Sequence, residues 1–203
     1  MKKSIENFWY YYKYYVLVGV LIIFVAVLAI FFTGGSIPPD IQIGYVSDGR
    51  EISDDAKNYI NTYFEQVITD ANGDNKKTLD IVPLIGPRVD VEFSDSGAQI
   101  VLVDGHTLDI YKTKGVFEPL DKVVSDYDID ISGNTQVKGM VEGKSEEHTY
   151  AIPVEKIKYL LDMGFPGEDY YLTVRVEYDN NEEAKTKNNN SYSVLDRMLK
   201  YKG

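Results

Sequence analysis

The chain has 203 residues, 26% of them charged, with a net charge of −11 and no cysteine. The missing thiols rule out disulfides, thiol catalysis and Cys-ligated metals. The first 35 residues carry +2, so the remainder carries −13. That excludes the basic face a nucleic-acid backbone demands and disfavours lying flat on anionic lipid.

Val16–Phe32 contains no polar side chain. As a helix at ~1.5 Å per residue it spans about 26 Å, and Tyr14 and Tyr15 extend it toward the ~30 Å hydrocarbon core. Lys2, Lys3 and Lys13 precede the run, and no Lys or Arg follows before Arg50. Positive residues stay on the cytoplasmic side. The expected layout is therefore a cytoplasmic stub (1–13), a transmembrane signal-anchor helix (14–33) whose partner is the lipid bilayer, a short stalk (34–39) and an extracytoplasmic domain (40–203). Phe8, Trp9, Tyr10, Tyr11, Tyr12, Tyr14 and Tyr15 resemble an interfacial aromatic belt. A cleaved signal peptide fits less well. Its apolar region is usually ~7–15 residues, and Phe31-Phe32-Thr33 is a poor approach to cleavage at Gly34-Gly35-Ser36. Pro38-Pro39 would stiffen the stalk.

Beyond the stalk, Asp40–Val46 alternates as a first strand and ends in the turn Ser47-Asp48-Gly49. Ala56, Tyr59, Ile60, Tyr63, Phe64, Val67 and Ile68 form one helical stripe, with Ser53 as its cap. Leu79–Ile85 reads as a second strand, which Pro83 assigns to an edge or an irregular position. Pro87–Gly97 is short for a crossover helix, and Val89, Val91 and Phe93 alternate as in an extra antiparallel strand. Ala98–Val103 is a continuous apolar run, the mark of a central strand. Thr107–Lys114 follows as a short helix closed by Gly115. Gln136–Val141 reads as a strand broken by glycine. Thr149–Val154 leads through Pro153 into a helix that Gly164 ends, with Phe165 folding back. Tyr171–Tyr178 alternates strictly, predicting a strand with one wet face. Asp179–Asn190 reads as a polar loop, and Ser193 with Asp196 as a capping box opening a last short helix. Strands alternating with helices predict a single α/β domain on a mostly parallel, mixed sheet.

Asp70–Asp80 partly matches a calcium loop, with oxygen ligands from Asp70, Asn72 and Asp74, the Lys76 carbonyl, and Asp80 one place early for the bidentate acid. Position 12 is Ile81, which cannot ligate, and a solvated turn explains the same residues. Calcium is the one cofactor this pattern admits. No nucleophile elbow, zinc-protease or P-loop motif is present. The two histidines, His106 and His148, lie in unrelated settings. The chain reads as a non-enzyme without catalytic residues.

The segment Ala98–Val124 (AQIVLVDGHTLDIYKTKGVFEPLDKVV) pairs an apolar strand and an acid with a short helix, then Gly115-Val116-Phe117-Glu118-Pro119-Leu120-Asp121. With Tyr150-Ala151-Ile152-Pro153 it resembles bacterial extracellular solute-binding proteins of ABC importers over about half of the outer domain. Such proteins have two lobes around a cleft, and this chain has room for one. The resemblance implies a truncated, membrane-tethered relative with the fold of one periplasmic-binding-protein lobe.

In an open α/β sheet, ligands sit beyond the carboxyl ends of the strands. That rule selects Tyr45, Ser47 and Asp48 after the first strand, and Asp104, Gly105 and His106 after the central one. Tyr150 joins them through the resemblance alone. Turn and helix-cap chemistry explains Asp104 and Gly105 equally well. The expected function is noncovalent binding of a small solute beside a transporter or another envelope protein. The alternative is a structural or protein-interaction module of the envelope with no small-molecule ligand.

Overall fold

The computed structural model describes residues 2–32, 38–47, 52–94 and 97–203. The chain forms two units, Met1–Pro38 and Pro39–Gly203.

The first unit is one helix, α1 (Lys2–Phe32). Within it Phe8–Leu28 is long and apolar enough to cross a membrane. The apolar window opens at the aromatic run rather than at Val16. Nearly all its side chains stand exposed. The glycine stop at Gly34-Gly35 lies outside the described residues.

The second unit is α/β. Its elements are β1 (Ile41–Val46), α2 (Asp54–Phe64), β2 (Leu79–Leu84), α3 (Arg88–Ser94), β3 (Ile100–Asp104), α4 (Gly105–Tyr111) and α5 (Asp121–Asp126). They continue with β4 (Lys138–Met140), β5 (Glu147–Thr149), β6 (Ile152–Pro153), α6 (Lys158–Asp162), β7 (Tyr170–Val174) and α7 (Glu182–Leu199). The main sheet has the order β2-β1-β3-β7-β6, and β4 and β5 pair separately. β1 is parallel to β2 and β3, whereas β7 is antiparallel to β3 and to β6. Four of the five strands thus point one way and β7 points against them.

Alternation divides the core. Ile41, Ile43, Tyr45, Ile100, Leu102 and Leu172 face α2, α6 and α7, through Ile60, Phe64, Tyr159, Leu160, Val194 and Leu195. Val101, Val103 and Tyr171 face α3 and α4, through Phe93, Leu108 and Tyr111. The central run around β3 is buried on both faces, as its unbroken apolar sequence implies. Pro83 lies on β2, an edge of the sheet.

Five expectations are corrected. Pro87–Gly97 holds a helix, α3, and no strand among its described residues: Phe93 turns inward while Val91 is 62% exposed. The strand expected over Tyr171–Tyr178 ends at Val174 and has no wet face, because helices cover both sides of the sheet there; Glu177 and Tyr178 lie beyond it and are exposed. Thr173 is fully buried and gives its hydroxyl to the Val101 carbonyl at 2.9 Å. Arg175, 5% exposed, donates Nη1 to the Glu92 carbonyl at 2.7 Å.

Asp179–Asn190 is mostly helix. α7 is capped by Asn181, whose Oδ1 accepts from Ala184 N–H at 2.8 Å, and Glu182 and Glu183 suit its positive end. Ser193 and Asp196 lie within that helix. There the Ser193 hydroxyl donates to the Asn189 carbonyl and Asp196 pairs with Lys200. Finally, α2 stops at Phe64, so Ile68 reaches the core from the turn beyond it.

Candidate functional site

β1 and β3 are neighbours whose connections diverge. After β1 the chain crosses one face through α2 toward β2. After β3 it crosses the other face through α4 and eventually reaches β7. Two adjacent strands that send their helices to opposite faces leave a gap beyond their carboxyl ends. A cavity of about 570 Å³ opens there, lined by Tyr45 and Ser47 at the end of β1, Asp104 at the end of β3, and Ile52, Ser53 and Ala56 at the start of α2.

The floor is built from β1 and β3. Tyr45 is 5% exposed, and its hydroxyl accepts from Ile52 N–H at 3.2 Å. Asp104 is half-buried and caps α4, its Oδ1 accepting from Thr107 N–H at 2.7 Å. Its other carboxylate oxygen has no partner among the described residues. Ser53 caps α2, its hydroxyl accepting from Ala56 N–H. Both caps turn a polar side chain toward the mouth of the crevice because helix starts need an acceptor there.

The opposite wall is the segment between α6 and β7. Met163, Gly164, Phe165, Pro166 and Tyr170 line the cavity. Gly164 has φ +86° and Asp169 has φ +52°, so the segment turns through the left-handed region at both ends. Phe165 meets Tyr45 edge-on, ring centroids 5.8 Å apart. Sequence reasoning read Gly164 and Phe165 as a helix stop and missed this wall. An antiparallel β7 starts where its parallel neighbours end, so the loop leading into it joins the carboxyl-end crevice. The loop's Gly-Phe-Pro-Gly composition was the available signal.

Of the residues selected from sequence, Tyr45, Ser47 and Asp104 come together here. Gly105 sits beneath the wall. Its N–H donates to the Asp169 carbonyl at 3.1 Å, and a Cβ on it would come within 2.1 Å of the Asp169 carboxylate. His106 stands exposed on α4 away from the cavity lining. Tyr150 is buried on the other face of the sheet, among Val101, Val103 and Phe117. Asp48 lies outside the described residues.

The Asp70–Asp80 segment turns its acceptors onto its own backbone. Asp70 accepts from Gly73 N–H at 2.7 Å and Asn75 N–H at 2.8 Å, Asn72 from Asp74 N–H at 2.9 Å, Asp74 from Lys76 N–H at 2.8 Å, and Asp80 from Ile81 N–H at 2.8 Å. Asn75 takes the left-handed conformation, φ 63°. The Asn72 and Asp74 bonds, each to the N–H two residues on, are those of successive Asx turns. Among the described residues no three His, Asp or Glu side chains gather as a metal site.

His148 forms a separate polar cluster, with Nδ1 at 2.8 Å from Asp121 Oδ2. Burial would raise the Asp121 carboxyl. Hydrogen bonds from Thr149 N–H and from His148 outweigh it and hold the group below the usual carboxylate range.

No protein-family model matches this chain, and no curated protein matches it in sequence.

Proposed function

We propose that this protein is a membrane-anchored, extracytoplasmic binding module of the solute-binding kind, acting by noncovalent contact beside a transporter or another envelope protein. The observation that carries the reading is the crevice beyond β1 and β3, a position where open α/β sheets hold ligands. Its volume of about 570 Å³ lies within the roughly 300–1,000 Å³ typical of small-molecule sites. Aromatic walls with a few convergent polar groups fit a small solute. The N-terminal helix supports the anchor, and Lys2, Lys3 and Lys13 support an inside N-terminus.

The test is thermal melting of the full chain in detergent against sugars, amino acids, amines and short peptides. A solute binding only the folded state at ~100 times its dissociation constant adds about 2.7 kcal/mol. The shift should vanish in Ser47→Phe, which fills the crevice. A shift that survives this substitution, or none with any solute, counts against the reading and favours a purely structural envelope module. Location is tested separately. Because the chain has no Cys, a single cysteine at exposed Glu142 should react with a membrane-impermeant maleimide on intact cells.

A further inference from the structure

We infer that the crevice takes a small organic cation, an ammonium group carried on a compact apolar body. The inference rests on the crevice being a binding site, and it goes further by assigning the chemical class of the ligand.

Asp104 is the only charged side chain among the described residues lining the cavity. Around it stand the rings of Tyr45, Phe165 and Tyr170 and the thioether of Met163. The carboxylate is half-buried, gives one oxygen to Thr107 N–H and leaves the other uncommitted among the described residues. An anionic ligand would meet this charge with no opposing one among the described residues, and like charges in a partly desolvated site repel strongly. A neutral polyol would satisfy hydroxyls and leave the carboxylate without a counter-ion. An ammonium group supplies the counter-ion, and its alkyl substituents suit aromatic faces, the arrangement by which proteins hold amines and quaternary ammonium groups.

Two rivals fit worse. A divalent metal ion requires about six or more oxygen ligands for calcium, and the one carboxylate and two serine hydroxyls among the described lining residues fall well short. Anion capture at the start of α4 is blocked, since Asp104 itself occupies that end of the helix. The −13 carried by residues 36–203 further raises the local concentration of cations over anions.

The experiment is isothermal titration of the full chain in detergent micelles at physiological ionic strength. The probes are choline, phenethylamine, the uncharged carbon isostere of choline with a tert-butyl group in place of trimethylammonium, glucose, and glutamate. Choline or phenethylamine should bind at one site, with the isostere about tenfold weaker or worse. Asp104→Asn keeps a capping oxygen for Thr107 N–H while removing the charge. It should weaken the cation about tenfold and leave the isostere unchanged. Phe165→Ala should weaken both. Glucose, glutamate or the isostere binding as tightly as the cations would overturn the assignment of class and leave the binding-module reading standing. Cation binding indifferent to Asp104→Asn and Phe165→Ala would overturn it by placing the cation on the acidic surface. Silence from every probe would overturn the assignment of class, and the wider melting panel then decides the binding-module reading.

Discussion

The side-chain amide of Asn190 on α7 donates to the main-chain carbonyl of Asp40 at 3.2 Å, across 150 residues of chain. The same amide brackets Thr69, accepting from its N–H and donating to its carbonyl, each at 2.8 Å. The Asp40 carboxylate in turn accepts from Ala71 N–H and Thr78 N–H, both at 2.7 Å. Two fully or nearly fully buried polar residues thus hold the start of β1, the loop before β2 and the last helix together. Asn190→Leu would strand three backbone groups without partners, and each orphaned group costs about 1–3 kcal/mol. The expected loss is about 3 kcal/mol in urea unfolding of residues 39–203. A loss below about 1 kcal/mol would show that the clamp is dispensable.

The free edge of β2 is closed donor by donor. Its even-numbered residues face β1, as the Leu84 carbonyl does in accepting from Ser47 N–H. Of the odd-numbered ones, Leu79 gives its N–H to Asn61 Oδ1 at 2.7 Å and Ile81 gives its own to Asp80 Oδ1 at 2.8 Å. Pro83 has none to give. An open strand edge is a template for pairing with another chain. Replacing Asn61 by Ala, Asp80 by Thr and Pro83 by Val together should produce concentration-dependent self-association in sedimentation velocity. An unchanged profile would mean that something else guards the edge.

Tyr159 is 1% exposed and its hydroxyl has no partner among the described residues. The ring itself is well placed, stacked on Tyr63 at 5.0 Å and edge-on to Phe64 at 5.2 Å. Deleting an unsatisfied buried hydroxyl removes a desolvation cost while keeping the packing. Tyr159→Phe should therefore leave stability unchanged or raise it by up to about 1 kcal/mol. A clear drop in melting temperature would reveal a partner for that oxygen.

Stability should also fall at high pH. Burial first, then the hydrogen bond and negative charge of Asp90, push the Tyr111 hydroxyl from 10.0 up to about 12. A group whose pKa is higher in the folded state contributes fully below its unfolded value and loses that contribution as pH rises through the folded one. The window is therefore about pH 10 to 12. Tyr111→Phe should flatten the alkaline limb by about 1–2 kcal/mol, measured as the difference in urea midpoint between pH 9 and pH 12. Parallel pH profiles for wild type and variant would refute it.

The sequence carried the parallel half of the sheet plainly. Ile41, Ile43 and Tyr45 alternate, the run Ile100–Val103 is unbroken, and Ser53 and Asp104 stand where helix caps must stand. It misled where a polar residue is buried or an apolar one exposed. Asn190 looks like a loop residue, yet it is inward because backbone groups of Thr69 and Asp40 need it. Thr173 and Arg175 look wet, yet the sheet is covered on both faces there, and Thr173 Oγ1 and Arg175 Nη1 reach main-chain carbonyls. Val91 marks a strand by alternation and lies on the outer face of α3. The floor of the crevice was legible because strand ends follow from strand positions. Its Phe165 wall was not, because the direction of β7 is set by tertiary pairing rather than by any local pattern.

The locks on β2 and the clamp on β1 close at different moments of synthesis. Asn61, Asp80 and Pro83 lie at most 18 residues from the groups they govern, so every group that guards the strand edge is present when the strand leaves the ribosome. Asn190 follows Asp40 by 150 residues, roughly 8–30 s later at about 5–20 residues per second. The nascent domain must wait that long for its last helix, and it waits with the groups that guard the β2 edge already made.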